Sequence, residues 1–465
     1  MAGKATAFFS AVNLTKTIVG AGMLAIPYAF RNDGVLVGTL LTLLAALSSG
    51  FGLVVLGKCS KSLVDPRQAS FFSLCSITYP NLSMLFDFSM FLQCYGVGLS
   101  YLVLLGDLFP TVLGGTRHAW ILGSIVVIGP LTMIRQLDGL KYSSILGLVA
   151  IFYIVGLVVA IFFRDVLLTD NASQHRGDLS WISVYDGKGL ISTFTILIFA
   201  FTGSMNIFSI INELRDNSMR NIGVVVWNSI TVSCSIFLCV GICGYVTFGS
   251  NTVGNIILNY DPNSYWTMAA KLCLGTVVLL SFPLMFHPAR ISTNNMYYWL
   301  KLKYGKCEEH DARNNAHDHT GTPIALVVED EEDRLLLGVE NTYQSTANVP
   351  SVELNHSQEK SQAVPFPDKH FYVITAILLV TLYLLALNVT SFALVLALVG
   401  ATGSTAISFT LPGLFGYKLI GSRAVMTGRL MSRSDTFYRY ASLLLTVYGI
   451  SVMCLSLYVT LKFGP

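Results

Sequence analysis

The sequence predicts an all-α protein that crosses a membrane many times. Of its 465 residues, 53% are hydrophobic and only 12% are charged, about half the charged fraction of an ordinary soluble domain. A mean hydropathy of +0.62 is typical of a chain that lies mostly in lipid. These values exclude a soluble enzyme, and a net charge of +3 is too small for electrostatic binding of nucleic acid.

Eleven apolar runs follow one another along the chain, separated by polar or Gly/Pro-rich breaks. A helix needs roughly 20 apolar residues to cross the hydrocarbon of a bilayer, and each run allows one such span. The runs lie near residues 6–31, 34–57, 84–113, 119–136, 142–163, 189–212, 221–248, 266–289, 370–388, 390–417 and 438–462. The ninth and tenth are separated only around Asn388, which makes that boundary the weakest.

The distribution of lysine and arginine between the breaks predicts the orientation. With a cytosolic N-terminus, 21 of these residues fall on the cytosolic side and 7 on the other side. Excluding the long loop after the eighth span leaves 13 against 7, and cytosolic loops carry the excess of positive charge. We therefore predict a cytosolic N-terminus and a C-terminus on the opposite side. The sequon at Asn171 then lies in a non-cytosolic loop, as glycosylation requires.

One long segment carries much of the charge and divides the chain into three predicted regions. Residues 1–300 hold spans one to eight, residues 301–368 form an acidic cytosolic loop, and residues 369–465 hold spans nine to eleven. The loop contains about half of the 26 acidic residues and few aromatic ones, a composition typical of disorder. Within it, Glu331 stands four residues ahead of Leu335-Leu336. This pattern resembles an acidic dileucine signal read by sorting adaptors, or it is a chance match in an acid-rich stretch.

Two spans contain helix-weakening residues at mid-membrane depth. The first carries Gly20, Gly22 and Pro27, and the sixth carries Thr202-Gly203 with small and polar neighbours. Unpaired backbone groups at that depth are tolerated where they line a cavity or meet a ligand. Each break alone could also reflect close helix packing through small residues. Together they predict a binding site.

The positions of the two breaks indicate an internal repeat. The second break lies in the sixth span, five positions after the first, and an odd shift makes the two broken helices run in opposite directions. This spacing indicates an inverted repeat of five plus five helices, with discontinuous helices at corresponding positions. Half-helix N-termini suit a carboxylate and C-terminal carbonyls suit an ammonium group. A zwitterionic amino acid satisfies both.

Several segments resemble the amino acid/auxin permease family, which includes the sodium-coupled neutral amino acid transporters. They are NLTKTIVGAGMLAIPYAFRNDG at 13–34, FAFTGSMNIFSIINEL at 199–214 and SFPLMFHPAR at 281–290. SILGL at 144–148, LNYDPNS at 258–264 and VGATGSTAISFTLPGLFGYKLIG at 399–421 are similar to the fungal vacuolar amino acid exporters of that family. The resemblance implies a LeuT-like core with an eleventh helix and a substrate site between helices one, three, six, eight and ten.

The resemblance also implies which residues hold the substrate. We expect the breaks in the first and sixth spans to contact the substrate through their backbone groups. Phe201 is alternatively a core or gating aromatic. On the third span, Gln93, Cys94 and Tyr95 are candidates for the cavity wall. The substrate-binding set is Thr17, Val19, Gly20, Ala21, Gly22, Tyr95, Phe201, Thr202, Gly203 and Ser204.

Lys16 is the principal candidate for ion coupling. The sodium-coupled relatives carry asparagine at the corresponding position, beside a sodium site formed with the eighth helix. An ammonium group here would replace sodium and let protonation couple transport to a proton gradient, unless Lys16 only extends to the cytosolic interface. Thr276 and Ser281 are candidate hydroxyls for the same site, although each can bond to a preceding carbonyl instead.

Two further charged residues are candidates for the cytosolic gate. Glu213, at the end of the sixth span, is a candidate partner for Arg215 or Arg290, or an ordinary interfacial acid.

The sequence contains no CxxC pair, HExxH or GxSxG motif, so we expect no metal, no cofactor and no enzymatic activity.

These observations predict a secondary active transporter of the vacuolar membrane. We expect it to export neutral amino acids such as glutamine to the cytosol, with protons, by alternating access. The C-terminus would then be lumenal. Two alternatives stay open: a sensor that signals through the cytosolic loop, and a vacuolar importer that works by proton antiport.

Overall fold

The computed structural model describes residues 5–63, 65–133, 141–168, 176–182, 187–316, 366–422 and 430–463. Within these ranges the chain is almost wholly helical, and the bridge between Ala5 and Leu214 is isolated. The helices are α1 (Ala7–Ile18), α2 (Ile26–Ser60), α3 (Phe71–Thr78), α4 (Ser83–Leu108), α5 (Pro110–Leu113), α6 (Arg117–Gly123), α7 (Ile125–Met133), α8 (Lys141–Phe162), α9 (Gly187–Ala200), α10 (Ser204–Glu213), α11 (Met219–Phe248), α12 (Tyr265–Ala316), α13 (Asp368–Asn388), α14 (Phe392–Val399), α15 (Leu411–Leu419) and α16 (Arg433–Phe463).

Nine helices in the described ranges are long and apolar enough to cross a membrane. The shorter apolar stretch Arg117–Met133 covers most of the predicted fourth span. The long helices number fewer than the predicted spans because the first span is interrupted, and its second half is continuous with the next helix. The eleven-span count therefore stays a prediction, whereas the weak boundary between spans nine and ten falls where expected, since α13 ends at Asn388.

The turn between the first and second predicted spans depends on Gly34. Its φ of 79° lies in the left-handed region that favours glycine, and it kinks α2 there. The N–H groups of Val35 and Leu36 donate to the carbonyls of Ser180 and Trp181 at 3.3 and 3.0 Å. A neighbouring loop thus accepts hydrogen bonds that the kink removes from the helix.

The sixth and tenth predicted spans form the centre of the bundle. In the most apolar window of Gly189–Glu213, and likewise of Phe392–Leu419, 83% of the residues are buried, against 28% for Leu146–Val166. Between α14 and α15 the chain forms two π-helical segments, Gly400–Ser404 and Ala406–Thr410. The sixth and tenth predicted spans are therefore the most enclosed of the membrane-length helices in the described ranges.

The described chain divides into two compact units, Met1–Met296 with Pro367–Pro465, and Tyr297–Phe366. In the second unit, α12 continues to Ala316, past the predicted start of the acidic loop at residue 301. The sequon at Asn171 and the Glu331, Leu335 and Leu336 motif lie outside the described residues.

Candidate functional site

The first predicted break is present in the structure. α1 ends at Ile18, and a 3₁₀ turn follows at Ala21–Ala25 after Gly20, whose backbone is extended at φ −108° and ψ −151°. Met23 N donates to the Gly20 carbonyl at 3.2 Å. The N–H groups of Ala21 and Gly22 come before this first bond of the turn and have no acceptor among the described residues. They are available to an anionic group.

The second break lies between α9 and α10. α9 ends at Ala200 and α10 begins at Ser204, while Thr202 N donates back to the Phe199 carbonyl at 3.1 Å. Within the described ranges, no backbone N–H donates to the carbonyls of Ala200 and Phe201. This break therefore offers acceptors, whereas the first break offers donors.

The two breaks touch each other. A β-carbon added to Gly22 would lie 2.9 Å from the Ala200 α-carbon, and one added to Gly203 would lie 2.9 Å from Ile18 Cγ1. Both distances are shorter than ordinary carbon contacts. The glycines are therefore required for close approach, and they bring the donors of one break beside the acceptors of the other.

A cavity of about 70 Å³ opens where the breaks meet. Five of the predicted substrate-binding residues line it: Thr17, Gly20, Ala21, Gly22 and Thr202. Its walls come from the first, third, sixth and eighth predicted spans, which are four of the five helices implied by the resemblance. The tenth span reaches the cavity through a hydrogen bond from Ser404 to Gln93.

The other predicted substrate-binding residues face elsewhere. Phe201 is fully buried and packs edge-on against Phe237, with ring centroids 4.9 Å apart, which is the alternative core role. Ser204 donates to Ser408 at 3.4 Å, and Tyr95 donates to Thr381 at 3.0 Å. Val19 and Gly203 are likewise buried outside the cavity lining.

Gln93, a candidate for the cavity wall, lines the cavity, and several lining residues were not among the candidates. Val97 and Tyr101 follow Gln93 on α4 at the spacing of four that places residues on one helical face, so periodicity from Gln93 could have identified them. Ile18, Phe199, Ala200, Met205, Asn206 and Met285 complete the lining. Most of these adjoin the breaks, where loss of helical geometry removes the periodic signal.

The polar side chains of the lining are held by short hydrogen-bond chains. Thr202 Oγ1 donates to the Ile198 carbonyl at 2.9 Å, so its hydrogen points away from a ligand. Thr17 Oγ1 donates to the Asn13 carbonyl at 3.0 Å, and Asn206 Nδ2 donates to Thr17 at 3.2 Å. The cavity therefore has a fixed pattern of donors and acceptors.

Lys16 lies between the fifth and eighth predicted spans. A β-carbon added to Gly147 would lie 3.5 Å from Lys16 Cε and 3.6 Å from Val277 Cγ1. Ser281 is one helical turn beyond Val277 and half-buried, whereas Thr276 is exposed and donates to the Leu272 carbonyl at 2.9 Å. Lys16 therefore lies near the turn of α12 that precedes Ser281, and Thr276 adopts the alternative bond. A shared cation site stays a prediction.

The end of α10 is tied to the start of the chain. Ala5 N donates to the Glu213 carbonyl at 3.1 Å, and Arg215 N donates to the Ala5 carbonyl at 2.8 Å. Arg67 donates to the carbonyls of Leu214 and Arg215, each at 3.2 Å. These bonds satisfy C-terminal carbonyls of the helix and hold α1 and α10 together at one end.

The suggested pairing of Glu213 with Arg290 is not formed. Arg290 is buried and donates to the Thr132 carbonyl at 2.8 Å and to Thr375 Oγ1 at 3.2 Å. Its second terminal nitrogen lies 2.9 Å from His287 Nδ1, while Glu213 is exposed. In this conformation Arg290 links α12 to α7 and α13, and the end of α10 is held by main-chain groups and by the Arg67 side chain.

The described residues contain no group of three or more His, Cys, Asp or Glu side chains that could hold a metal ion. The cavity lining also carries no acidic or basic side chain. The site therefore offers hydrogen bonds and backbone dipoles to a ligand.

Comparisons with known proteins place these features in context. The family model described as "Transmembrane amino acid transporter protein" matches residues 3–455. Vacuolar amino acid transporter 7 of Saccharomyces cerevisiae is 51% identical, covering 99% of this chain and 98% of the relative. Vacuolar amino acid transporter 6 of the same yeast is 33% identical, covering 97% and 98%. The crystal structure of MhsT in complex with L-phenylalanine is 9% identical, with a TM-score of 0.54, covering 97% of this chain and all of MhsT. That likeness confirms the predicted LeuT-type fold class.

Proposed function

Because this chain belongs to the transmembrane amino acid transporter family, we propose that it is a secondary active transporter that carries amino acids across the vacuolar membrane. The yeast relative, a vacuolar amino acid transporter, is 51% identical to this chain over nearly the whole length of both chains. We further propose that it exports neutral amino acids to the cytosol, coupled to protons, by alternating access.

The observation that carries the proposal is the cavity at the meeting of the two broken helices. Free N–H groups at Ala21 and Gly22 suit an α-carboxylate, and the free carbonyl of Ala200, which also lines the cavity, suits an α-ammonium group. Since Gly22 and Ala200 are in contact, one zwitterion can use both sets. Backbone recognition of this kind leaves the side chains of the lining to select among amino acids.

Neutral substrates are favoured by the lining itself. A charged substrate side chain would enter a cavity without an opposite charge among its lining residues, and burial of an unpaired charge is costly. A neutral side chain requires only hydrogen bonds or apolar contact. Glutamine and smaller neutral amino acids are therefore the proposed substrates.

Proton coupling is proposed to depend on Lys16. The side chain lies between α8 and α12, next to the helix that carries Ser281, where an ammonium group would substitute for a bound cation. Loss of its proton would remove that charge and loosen α1 from its neighbours. The lumen of a vacuole is acidic, so a proton leaving with the substrate would drive export.

The acidic loop is proposed to direct the protein to its membrane. In a cytosolic position, Glu331 with Leu335 and Leu336 would be accessible to a sorting adaptor. Replacement of both leucines by alanine is expected to move a fluorescently tagged protein from the vacuole to another membrane. Unchanged vacuolar localisation would leave the dileucine pattern as a chance match.

The test of transport uses purified protein reconstituted into liposomes that contain radiolabelled glutamine or alanine. With an acidic interior, efflux should exceed that of protein-free liposomes and should fall when an ionophore removes the proton gradient. Efflux that does not depend on the proton gradient would refute proton coupling. Accumulation of external radiolabelled amino acid inside liposomes with an acidic interior would favour the importer. Retained efflux with lost cellular signalling, after deletion of residues 305–365, would favour the sensor.

A further inference from the structure

Two side-chain amides line the cavity, and their hydrogen bonds orient them in opposite senses. Asn206 stands on α10, just after the second break, and Gln93 stands on α4. Gln93 is 2% exposed, so its amide is removed from bulk solvent. Which atom each amide turns toward the cavity determines what a substrate side chain meets there.

The orientation of Asn206 follows from the bonds of Thr17. The Thr17 hydroxyl gives its hydrogen to the Asn13 carbonyl at 3.0 Å, so its oxygen can only accept from a further partner. Asn206 Nδ2 lies 3.2 Å from that oxygen and donates to it. The reversed amide would place two acceptors against each other. Asn206 Oδ1 is therefore the atom left for a ligand, and it is an acceptor.

The orientation of Gln93 follows from Ser404 in the same way. Ser404 Oγ lies 2.7 Å from Gln93 Oε1 and donates to it. Within the described chain the Ser404 hydroxyl has no other acceptor, so its hydrogen is directed to Gln93. The Gln93 Nε2 group, a donor, has no partner among the described residues. Because the residue lines the cavity, Nε2 is left for a ligand.

We propose that Gln93 and Asn206 select the substrate side chain, and that the selected class is neutral and carries both a hydrogen-bond acceptor and a donor. The carboxamides of asparagine and glutamine, and the hydroxyl of serine, satisfy both amides at once. This inference rests on the proposed function, since it assumes that the breaks hold the α-amino and α-carboxylate groups.

Other side-chain classes leave at least one amide unsatisfied. A carboxylate has no donor for Asn206 Oδ1, and an ammonium group has no acceptor for Gln93 Nε2. An apolar side chain leaves both amides unpaired in a buried site, which is the arrangement that discriminates most strongly. Each lost neutral bond corresponds to about 3–10-fold in affinity.

The volume of the cavity favours the shorter members of the class. The cavity, with a volume of about 70 Å³, is small for a whole amino acid. Glutamine has about three more non-hydrogen atoms than serine, so it requires more adjustment of the walls. Met205 and Met285 are flexible thioether side chains of the lining that can provide it.

The test measures competition for uptake into liposomes that contain the purified protein. Unlabelled serine, asparagine and glutamine should compete at least about 10-fold better than leucine, glutamate or lysine. In Gln93→Met, which keeps the size and removes the donor, the preference for asparagine over leucine should fall by about 10-fold. In Gln93→Glu, which replaces the donor with an acceptor, the ratio of lysine to glutamine competition should rise by at least about 10-fold.

Controls separate selection from general damage. Asn388→Leu removes an exposed amide at the end of α13 and should keep the wild-type preference. Ser404→Ala frees the Gln93 amide and should reduce the preference without abolishing uptake. Preferences in Gln93→Met that equal those of Asn388→Leu would overturn the inference alone, whereas wild-type liposomes that take up no amino acid would overturn the proposed function.

A measurement on the wild-type protein covers variants that fail to fold. Melting temperature in detergent should rise more with serine or asparagine than with leucine or glutamate, because ligands that bind the folded state stabilise it. Greater stabilisation by leucine or glutamate would overturn the inference without any variant.

Discussion

Replacement of Gly22 by alanine tests whether contact between the two breaks creates the transport site. The new β-carbon would lie 2.9 Å from the Ala200 α-carbon, 3.1 Å from its β-carbon and 3.2 Å from Phe199 Cδ1. Carbon atoms pack best at about 3.5–4.0 Å, so the breaks would have to separate by about 0.6–1.1 Å. The two nearest atoms are the α-carbon and β-carbon of Ala200, and neither can rotate away, because the β-carbon is fixed to the backbone.

The expected cost follows from that displacement. Overpacking of this kind costs about 1–3 kcal/mol, which corresponds to about 5–150-fold in affinity if the bound state bears it. Because the proposed substrate site requires contact with both breaks at once, we expect the effect on the apparent affinity for glutamine rather than on the amount of folded protein. Uptake into liposomes over a range of glutamine concentrations measures it.

Two matched substitutions control for the added methyl group. Gly156→Ala adds a β-carbon where nothing lies within 4 Å and should transport like the wild type. Gly203→Ala meets only side-chain atoms, those of Ile18 and Leu14, which can shift more than backbone can, so its loss should be smaller than that of Gly22→Ala. If Gly22→Ala had the same apparent affinity as Gly156→Ala, contact between the breaks would not determine binding.

Three further predictions concern coupling, stability and thiol reactivity. Lys16→Arg keeps the positive charge but cannot release a proton at physiological pH, so efflux by this variant should not depend on internal pH. Efflux by Lys16→Asn should likewise not depend on internal pH. A pH dependence retained in both variants would exclude Lys16 from coupling. Arg67→Ala removes donors to the carbonyls at the end of α10 and should lower stability by about 1–3 kcal/mol, seen as a lower melting temperature in detergent, whereas the exposed Arg220→Ala should have no effect. Burial, with a smaller contribution from a nearby carboxylate, raises the pKa of the Cys75 thiol to about 12. Maleimide at pH 8 should therefore leave this thiol unmodified until the protein is unfolded. Rapid labelling of Cys75 in the folded protein, detected by mass spectrometry, would contradict its burial.

The positions of helices and breaks were predictable because the bilayer restricts the backbone. Spans must be apolar and helical, and the residues that interrupt the first and sixth spans are visible in the sequence at Gly20, Gly22 and Gly203. Gly34 was less visible, because a positive φ between two helices leaves the apolar pattern intact and changes only the direction of the chain.

The side chains that line the cavity were less predictable, because each residue turns a helix by about 100°. Ser204 and Asn206 both follow the second break, yet only Asn206 lines the cavity, while Ser204 packs against the tenth span. Similarly, Gln93 lines the cavity and Tyr95 faces α13. After a break, tertiary contacts determine which face of the helix is turned to the cavity. The apolar pattern before the break therefore does not predict that face.

The π-helical segment in the tenth span links substrate selection to the packing of the broken helix. A β-carbon on Gly403 would lie 2.6 Å from Gln93 N, and one on Gly400 would overlap the Thr195 carbonyl on α9, so the segment is seated against both helices through its glycines. π turns occur often at functional sites, and this one also carries Ser404, which orients the Gln93 amide. Movement of the segment relative to α4 would change the hydrogen bond that orients that amide, and the Gly400 contact makes such a movement depend on α9. It follows that a conformational step that shifts the tenth span would alter side-chain recognition during transport, so selectivity measured by binding can differ from selectivity measured by transport.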